Sequence, residues 1–261
     1  MIVFERLGGW GFGNSLFQMA ACIGIAKKKG TTWAVPEDCA FIKRYGDIFH
    51  TPLPTTKIGD WPRWGIGDPF NYLPYNEAAA DVVIDGFFQN PQYFKDAQLE
   101  VRNSFRLKNE IEYDVNRDLW EMKKAYRPRL GIHVRRGDYV GNPDMNIVGD
   151  DYYSKALDCV EDLDQYRRLV FSDDITVAKD IFGPDGYEYI ALPDIRTFVA
   201  LKSCDVIITA NSTFSWWAGY LADHVDTKVI MPKGERWFTE EYKKNHHVLY
   251  SGIHMPGAIY V

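Results

Sequence analysis

The chain has 261 residues, 46% hydrophobic and 25% charged, the balance of a packed protein of one large or two small domains. Its formal charge of −6 argues against nucleic-acid binding, which needs a basic footprint, so any bound diphosphate must be neutralised locally. Cys22, Cys39, Cys159 and Cys204 form no C-x-x-C pair and no zinc-spaced cluster. Three of them sit in apolar surroundings as core thiols, which fits a reducing compartment. The first residues lack the charged head and cleavage site of a signal peptide, and no apolar run reaches the ~18 residues of a membrane span. The expectation is a soluble, cytoplasmic protein with no membrane span. Aromatic residues make up 15%, which serves sugar stacking and an aromatic core equally well.

In chain order, a first strand at 2–4 leads into Gly8-Gly9-Trp10-Gly11-Phe12-Gly13 and a helix over 14–29 that Gly30 stops. A strand follows at 32–35. The stretch 36–75 is rich in Pro, Gly and Trp and reads as irregular, with room for short helices. A buried strand at 82–85 precedes Gly86-Phe87-Phe88-Gln89, then helices from Pro91 to 105 and over 110–125. Beyond Arg127-Pro128-Arg129, where a linker is expected, the pattern alternates regularly. Strands at 130–134, 168–171, 188–191, 205–209 and 228–231 interleave with helices at 151–163, 175–181, 195–203 and 212–222. Such alternation predicts an α/β protein with a parallel sheet covered by helices.

Four segments carry chemistry. The Gly8 to Gly13 run lies between a strand and a helix, where glycine lets backbone approach an anion, or simply makes turns. It departs from the dinucleotide fingerprint, because Asn14 stands where the last glycine belongs, so NAD binding is disfavoured. In Ile132-His133-Val134-Arg135-Arg136-Gly137-Asp138-Tyr139, a buried strand ends in two guanidinium groups, which match phosphate oxygens bidentately. The alternative is a structural ion pair of Asp138 with Arg136, and a satisfied core histidine at position 133. Phe171-Ser172-Asp173-Asp174 ends another strand; it can accept hydrogen bonds from a guanine edge, bind a metal (though no D-x-D site is spelled), or cap the next helix through Ser172 or Asp173. Ala210-Asn211-Ser212-Thr213-Phe214-Ser215-Trp216-Trp217 opens a helix with hydroxyl and amide groups, which makes a phosphate cradle or an ordinary cap. The last three segments follow strands of one predicted sheet and converge on one crevice.

Together these segments resemble the α-1,2-fucosyltransferases, glycosyltransferase family 11. His133 to Tyr139 matches the family's H-x-R-R-G-D-Y motif, and 171–174 and 210–217 resemble its F-S-D-D and A-N-S-T-F-S-W-W segments. The run from Gly11 to Gln18 is similar to its G-x-G-N-Q-L-F-Q loop, with Ser15 in place of the usual glutamine. Gly86-Phe87-Phe88-Gln89 with Tyr93-Phe94 resembles its G-Y-x-Q…Y-F segment, with Phe87 for the common tyrosine. The resemblance implies a GT-B fold of two Rossmann-like domains facing across a cleft. Residues 1–126 would form the acceptor side and 127–261 the GDP-sugar side, with the last helix free to pack back on the first domain. It implies inverting transfer of fucose from GDP-fucose to a galactose-containing oligosaccharide, with no cofactor and no metal. Peripheral association with lipid-linked acceptors stays open.

By the same carry-over, Arg135 binds the donor diphosphate and Arg136 assists. His133 and Asp173 or Asp174 contact guanosine, with Ser172 and Asn211 in the same donor set. Ser212 and Thr213 hold phosphate oxygens, and Gly11, Gly13 and Asn14 close over the donor. Asp138 is the nearest candidate base by motif. Trp33, Trp61, Trp64, Phe87 and Tyr93 offer stacking faces for an acceptor sugar, or pack in the core. The rivals are a transferase using another GDP-sugar and a non-catalytic nucleotide- or glycan-binding module.

Overall fold

Short apolar strands separated by helices build two sheets, and every pairing between their strands is parallel. The computed structural model describes residues 1–9, 11–79, 81–118 and 127–261. The described chain divides into one compact unit of Met1–Asn109 with His247–Ile253, and another of Glu110–His246 with His254–Val261.

The first unit holds β1 (Ile2–Phe4), α1 (Phe12–Lys29), β2 (Trp33–Pro36), α2 (Ala40–Tyr45), β3 (Thr55–Thr56), β4 (Arg63–Gly65), β5 (Val82–Asp85) and α3 (Gln98–Ser104). Its sheet order is β3-β2-β1-β5-β4. Nearly every residue of α1 from Phe12 to Ala26 is buried, so no polar face is needed until Lys27, Lys28 and Lys29 complement the carboxyl end of the helix dipole. Gly30 closes the helix in the left-handed region (φ 63). The irregular stretch 36–75 contains α2, one of the short helices it leaves room for, and also β3 and β4, which its Pro- and Gly-rich sequence hides. Pro91 and the Asn90 side chain, which accepts from Gln92 N, begin two 3-10 turns where one helix was expected; only Gln98–Ser104 is α-helical. Residues 247–253 belong to this unit through Asn71: its Oδ1 accepts from Leu249 N at 2.8 Å and its Nδ2 donates to His247 O at 3.2 Å.

The second unit holds α4 (Asn109–Asn116), which opens at the boundary, then β6 (Arg129–Val134), α5 (Asp150–Asp158), β7 (Arg167–Ser172), α6 (Ile175–Phe182), β8 (Glu188–Ile190), α7 (Asp194–Lys202), β9 (Val206–Ile208), α8 (Thr213–Tyr220), β10 (Lys228–Met231), α9 (Glu240–Asn245) and β11 (Ile259–Tyr260). The remainder of the helix expected over 110–125 lies in part outside the described residues. The helix expected over 151–163 stops at Asp158, and Asp162 sits in the left-handed region (φ 48), which no helix continues through. The sequence patterns missed α9 and β11.

The sheet order of the second unit is β11-β10-β9-β6-β7-β8. Counted from its own first strand, this is the 3-2-1-4-5-6 order of dinucleotide-binding sheets, with the chain reversing direction between β6 and β9. Leu130, Ile132, Val134, Val170, Val206, Ile208 and Ile230 share one buried cluster with Tyr152, Tyr153 and Ala156 of α5. Burial on both faces explains why β9 reads as an unbroken apolar run; β6 is buried as fully, although Gly131 and His133 interrupt its apolar residues. Ligands of such sheets bind beyond the carboxyl ends of the strands at the reversal point, which here is the β6/β9 junction.

Candidate active site

Three loops leave the carboxyl ends of the neighbouring strands β9, β6 and β7, and direct bonds join them. Arg135, just past β6, gives Nη1 to Asp173 Oδ2 and Nη2 to Asp138 Oδ1. Asp173 also accepts from the backbone of Arg136 through Oδ1 at 2.8 Å, so one carboxylate locks the start of the loop. On the other side Tyr139 donates its hydroxyl to Asn211 O at 3.0 Å. The Arg135 guanidinium lies 5.6 Å from the centre of the Tyr139 ring. It is thus held between two carboxylates and an aromatic face, with its fork fixed in advance of any ligand.

The expected pairing of Asp138 with Arg136 does not form; Asp138, on the 3-10 turn Gly137–Tyr139, reaches Arg135 three residues earlier instead. Arg136 Nε is buried without a hydrogen-bond partner. The Phe171-Ser172-Asp173-Asp174 segment divides its work. Ser172 Oγ accepts from Asp174 N at 2.9 Å and donates to Asp174 O at 3.0 Å, which shapes the turn. Asp174, rather than Ser172 or Asp173, caps α6 by accepting from Val177 N at 3.1 Å. Asp173 alone of the four faces Arg135.

His133 is 6% exposed, beside Phe214 with ring centres 5.6 Å apart, and its Nδ1 is buried with no partner. Burial, with the Arg135 charge added, pushes it down to about 3, so the ring stays neutral and can both donate and accept. It is not the satisfied core histidine that its apolar neighbours suggest. Thr209 Oγ1 and Asn211 Oδ1 are also buried without a partner. Unpaired buried polar atoms are costly, and three of them, from His133, Thr209 and Asn211, lie at the carboxyl ends of β6 and β9.

Asn211 directs its amide nitrogen away from that place: Nδ2 donates to Asn146 O at 2.7 Å and lies 3.4 Å from Arg236 O and from Trp237 O. It therefore ties the loop before α5 to the loop before α9. No local motif announces Asn146 or Arg236, so sequence reading could not find them. Ser212 is the N-cap of α8 but makes no capping bond with its side chain, so its hydroxyl and the opening turn of the helix stand at the β9 end.

Gly11, Gly13 and Asn14 lie in the first unit, after β1. Gly8 needs its conformation for packing: at φ +93 an added Cβ would meet Phe41 N at 2.3 Å. Gly11, at φ +87, has open space where a Cβ would stand, as a ligand-approaching glycine requires. Trp10 lies outside the described residues. Gln89 from the loop after β5 donates to Asn14 Oδ1 at 2.9 Å, and Gln18 of α1 donates to Gly86 O at 3.2 Å while its Oε1 is buried and unpaired. Phe88 between them adopts φ 53, a strained setting for an aromatic residue, and its fully buried ring packs among Phe4, Trp64 and Tyr93. Of the proposed stacking faces, Tyr93 is thereby in the core, while Trp33, Trp61, Trp64 and Phe87 keep partial exposure. Among the described residues, no three His, Cys, Asp or Glu side chains are placed to share a metal ion, and no helix is long and apolar enough to cross a membrane.

Residues 80–251 match the family described as glycosyl transferase family 11. The chain belongs to this family. Among its relatives, the O-antigen biosynthesis glycosyltransferase WbnK of Escherichia coli is 33% identical over 122 residues, 43% of this chain and 40% of that protein. An Escherichia coli α-1,2-colitosyltransferase is 31% identical over 175 residues, covering 61% and 57%. A Caenorhabditis elegans galactoside 2-α-L-fucosyltransferase is 27% identical over 240 residues, covering 82% and 67%. The chain thus spans between 40% and 67% of the length of these relatives. Among solved structures, the α-1,6-fucosyltransferase NodZ co-crystallised with GDP matches with a TM-score of 0.57 at 15% identity, covering 85% of this chain and 92% of that one. POFUT1 in complex with GDP matches with a TM-score of 0.54 at 13% identity, covering 88% and 97%. At these identities the likeness shows the fold, and this family 11 chain has the GT-B type of α/β architecture with two parallel sheets.

Proposed function

We propose that this family 11 chain is an inverting, metal-independent glycosyltransferase that moves L-fucose from GDP-fucose to O-2 of a terminal galactose on a glycan. The observation that carries the reading is the β6/β9 junction, where a pre-oriented arginine adjoins buried polar atoms without partners. A guanidinium fixed by Asp173 and Asp138 presents its remaining N–H groups to a diphosphate. There it stabilises the negative charge that builds on GDP as the fucosyl bond breaks. The Ser212 hydroxyl and the α8 amino terminus take further phosphate oxygens. Neutral His133 and Asn211 Oδ1 suit the mixed donors and acceptors of a base. GDP in the crystals of NodZ and POFUT1 and the galactoside fucosyltransferases among the relatives agree with this assignment.

The proton of the acceptor hydroxyl needs a base. Asp138 gives one oxygen to Arg135, and its side chain is 72% exposed, so Oδ2 is available to accept that proton. The neutral amides of Asn14, Gln18 and Gln89 in the first unit suit the hydroxyls of an uncharged sugar. Direct donor competition tests the reading: GDP-fucose should be turned over and GDP-mannose should not. The colitosyltransferase among the relatives makes a colitosyl nucleotide the second donor to offer. Absence of GDP binding, or of donor hydrolysis when no acceptor is present, would leave only a binding module.

A further inference from the structure

Pairing between β6 and β9 ends at Ile132 opposite Ile208. The next carbonyl on each strand is His133 O and Thr209 O, and each strand then feeds a loop of the candidate site. Both carbonyls are in the interior, where an unpaired acceptor is costly. Two consecutive residues of α5 satisfy them. Tyr153 donates its hydroxyl to His133 O at 2.9 Å, and Tyr152 donates to Thr209 O at 2.6 Å, with Ile230 O of β10 3.4 Å away. The two side chains are 1% and 0% exposed, and their rings meet edge to face with centres 4.9 Å apart. The rings belong to the core, but the hydroxyls fall where the reversal point must be held open.

We propose that Tyr152 and Tyr153 are positioning residues that set the gap between the Arg135 loop and the amino terminus of α8 by anchoring the last interior carbonyls of β9 and β6. The proposal rests on the nucleotide-site reading above. Neither hydroxyl touches the ligand; each acts through the strand end that it holds. Burial raises both phenols far above their usual range, so they remain donors at any working pH. Removing one hydroxyl leaves a carbonyl without a partner at the mouth of the junction, and the strand must shift or admit water to satisfy it.

The test uses Tyr152→Phe and Tyr153→Phe in the full chain, with Tyr189→Phe as control. Tyr189 also donates a hydroxyl to a backbone carbonyl, Gly183 O, but far from the strand ends that form the site. Calorimetry with GDP as the probe should give dissociation constants raised five- to tenfold in the first two variants and unchanged in the control, at similar losses of Tm. 4-Aminophenylalanine at 152 or 153, which keeps a donor, should restore GDP affinity to within twofold. Without any ligand, amide hydrogen exchange across 134–139 and 210–215 should quicken about tenfold in the phenylalanine variants. Unchanged exchange with unchanged GDP affinity overturns the proposal, and so does a phenylalanine variant that cannot fold, since the hydroxyl would then serve stability first. A wild-type chain that does not bind GDP sinks the nucleotide site instead, while the exchange readout still decides whether the tyrosines hold the strand ends.

Discussion

The β6/β9 junction of the second unit is where its strand order reverses, whereas at the β1/β5 junction of the first the order descends on both sides, 3-2-1 and then 5-4. Their chemistry differs. At β6/β9, Arg135 is braced between Asp138 and Asp173, with its side chain 31% exposed. At β1/β5 the amides of Asn14, Gln18 and Gln89 donate and accept, and an exposed pair of Arg6 with Asp85, 3.6 Å apart, stands at the strand ends. Two parallel sheets therefore present different chemistry beside their first strands, and the side chains that follow the strands set the difference.

The largest expected effect breaks the charged side. Arg135→Ala should lower transfer from GDP-fucose by 10²-fold or more, about 3 kcal/mol, with the circular dichroism spectrum unchanged. Arg135→Lys should recover little of it, since a point charge lacks the fork that Asp138 and Asp173 orient. Asp138→Asn separates proton removal from diphosphate binding: turnover should fall about 10²-fold while GDP affinity changes little. Equal losses in both measurements would assign Asp138 to bracing alone.

On the amide side, Gln89→Leu should raise the acceptor KM about tenfold, the worth of one or two hydrogen bonds, and leave GDP affinity as it was. A shift in GDP affinity would erase the contrast between the junctions. His133 sharpens the comparison through pH. Its folded value of about 3 lies below the ordinary 6.5, so between these limits the unfolded chain binds a proton that the folded chain refuses. Stability that is present above pH 6.5 is therefore lost progressively as pH falls toward 3, and His133→Gln should flatten that part of a Tm-against-pH curve. The smallest effect belongs to Lys27→Ala, which removes an exposed pair with Glu100 at the end of α1 remote from Gly11. Denaturant titration should show little or no loss of stability, and neither substrate constant should move.

Sequence periodicity alone placed the alternating elements of the second unit, because strands buried on both faces and amphipathic helices leave strong local signals. The same holds for the arginine motif, whose residues are contiguous. It failed in 36–75, where short strands borrow their stability from neighbours, and at Pro91, where capping and burial produce two turns in place of a helix.

What the chain by itself determined is the succession of β and α elements and the presence of two guanidinium groups, hydroxyls and amides at strand ends. Only tertiary structure decided which carboxylates hold Arg135, that Asp174 caps a helix while Asp173 does not, that Asn211 ties two loops, and that Tyr152 and Tyr153 anchor the reversal point. Hydrogen-bond partners distant in sequence are set by strand order and register, which local composition does not encode.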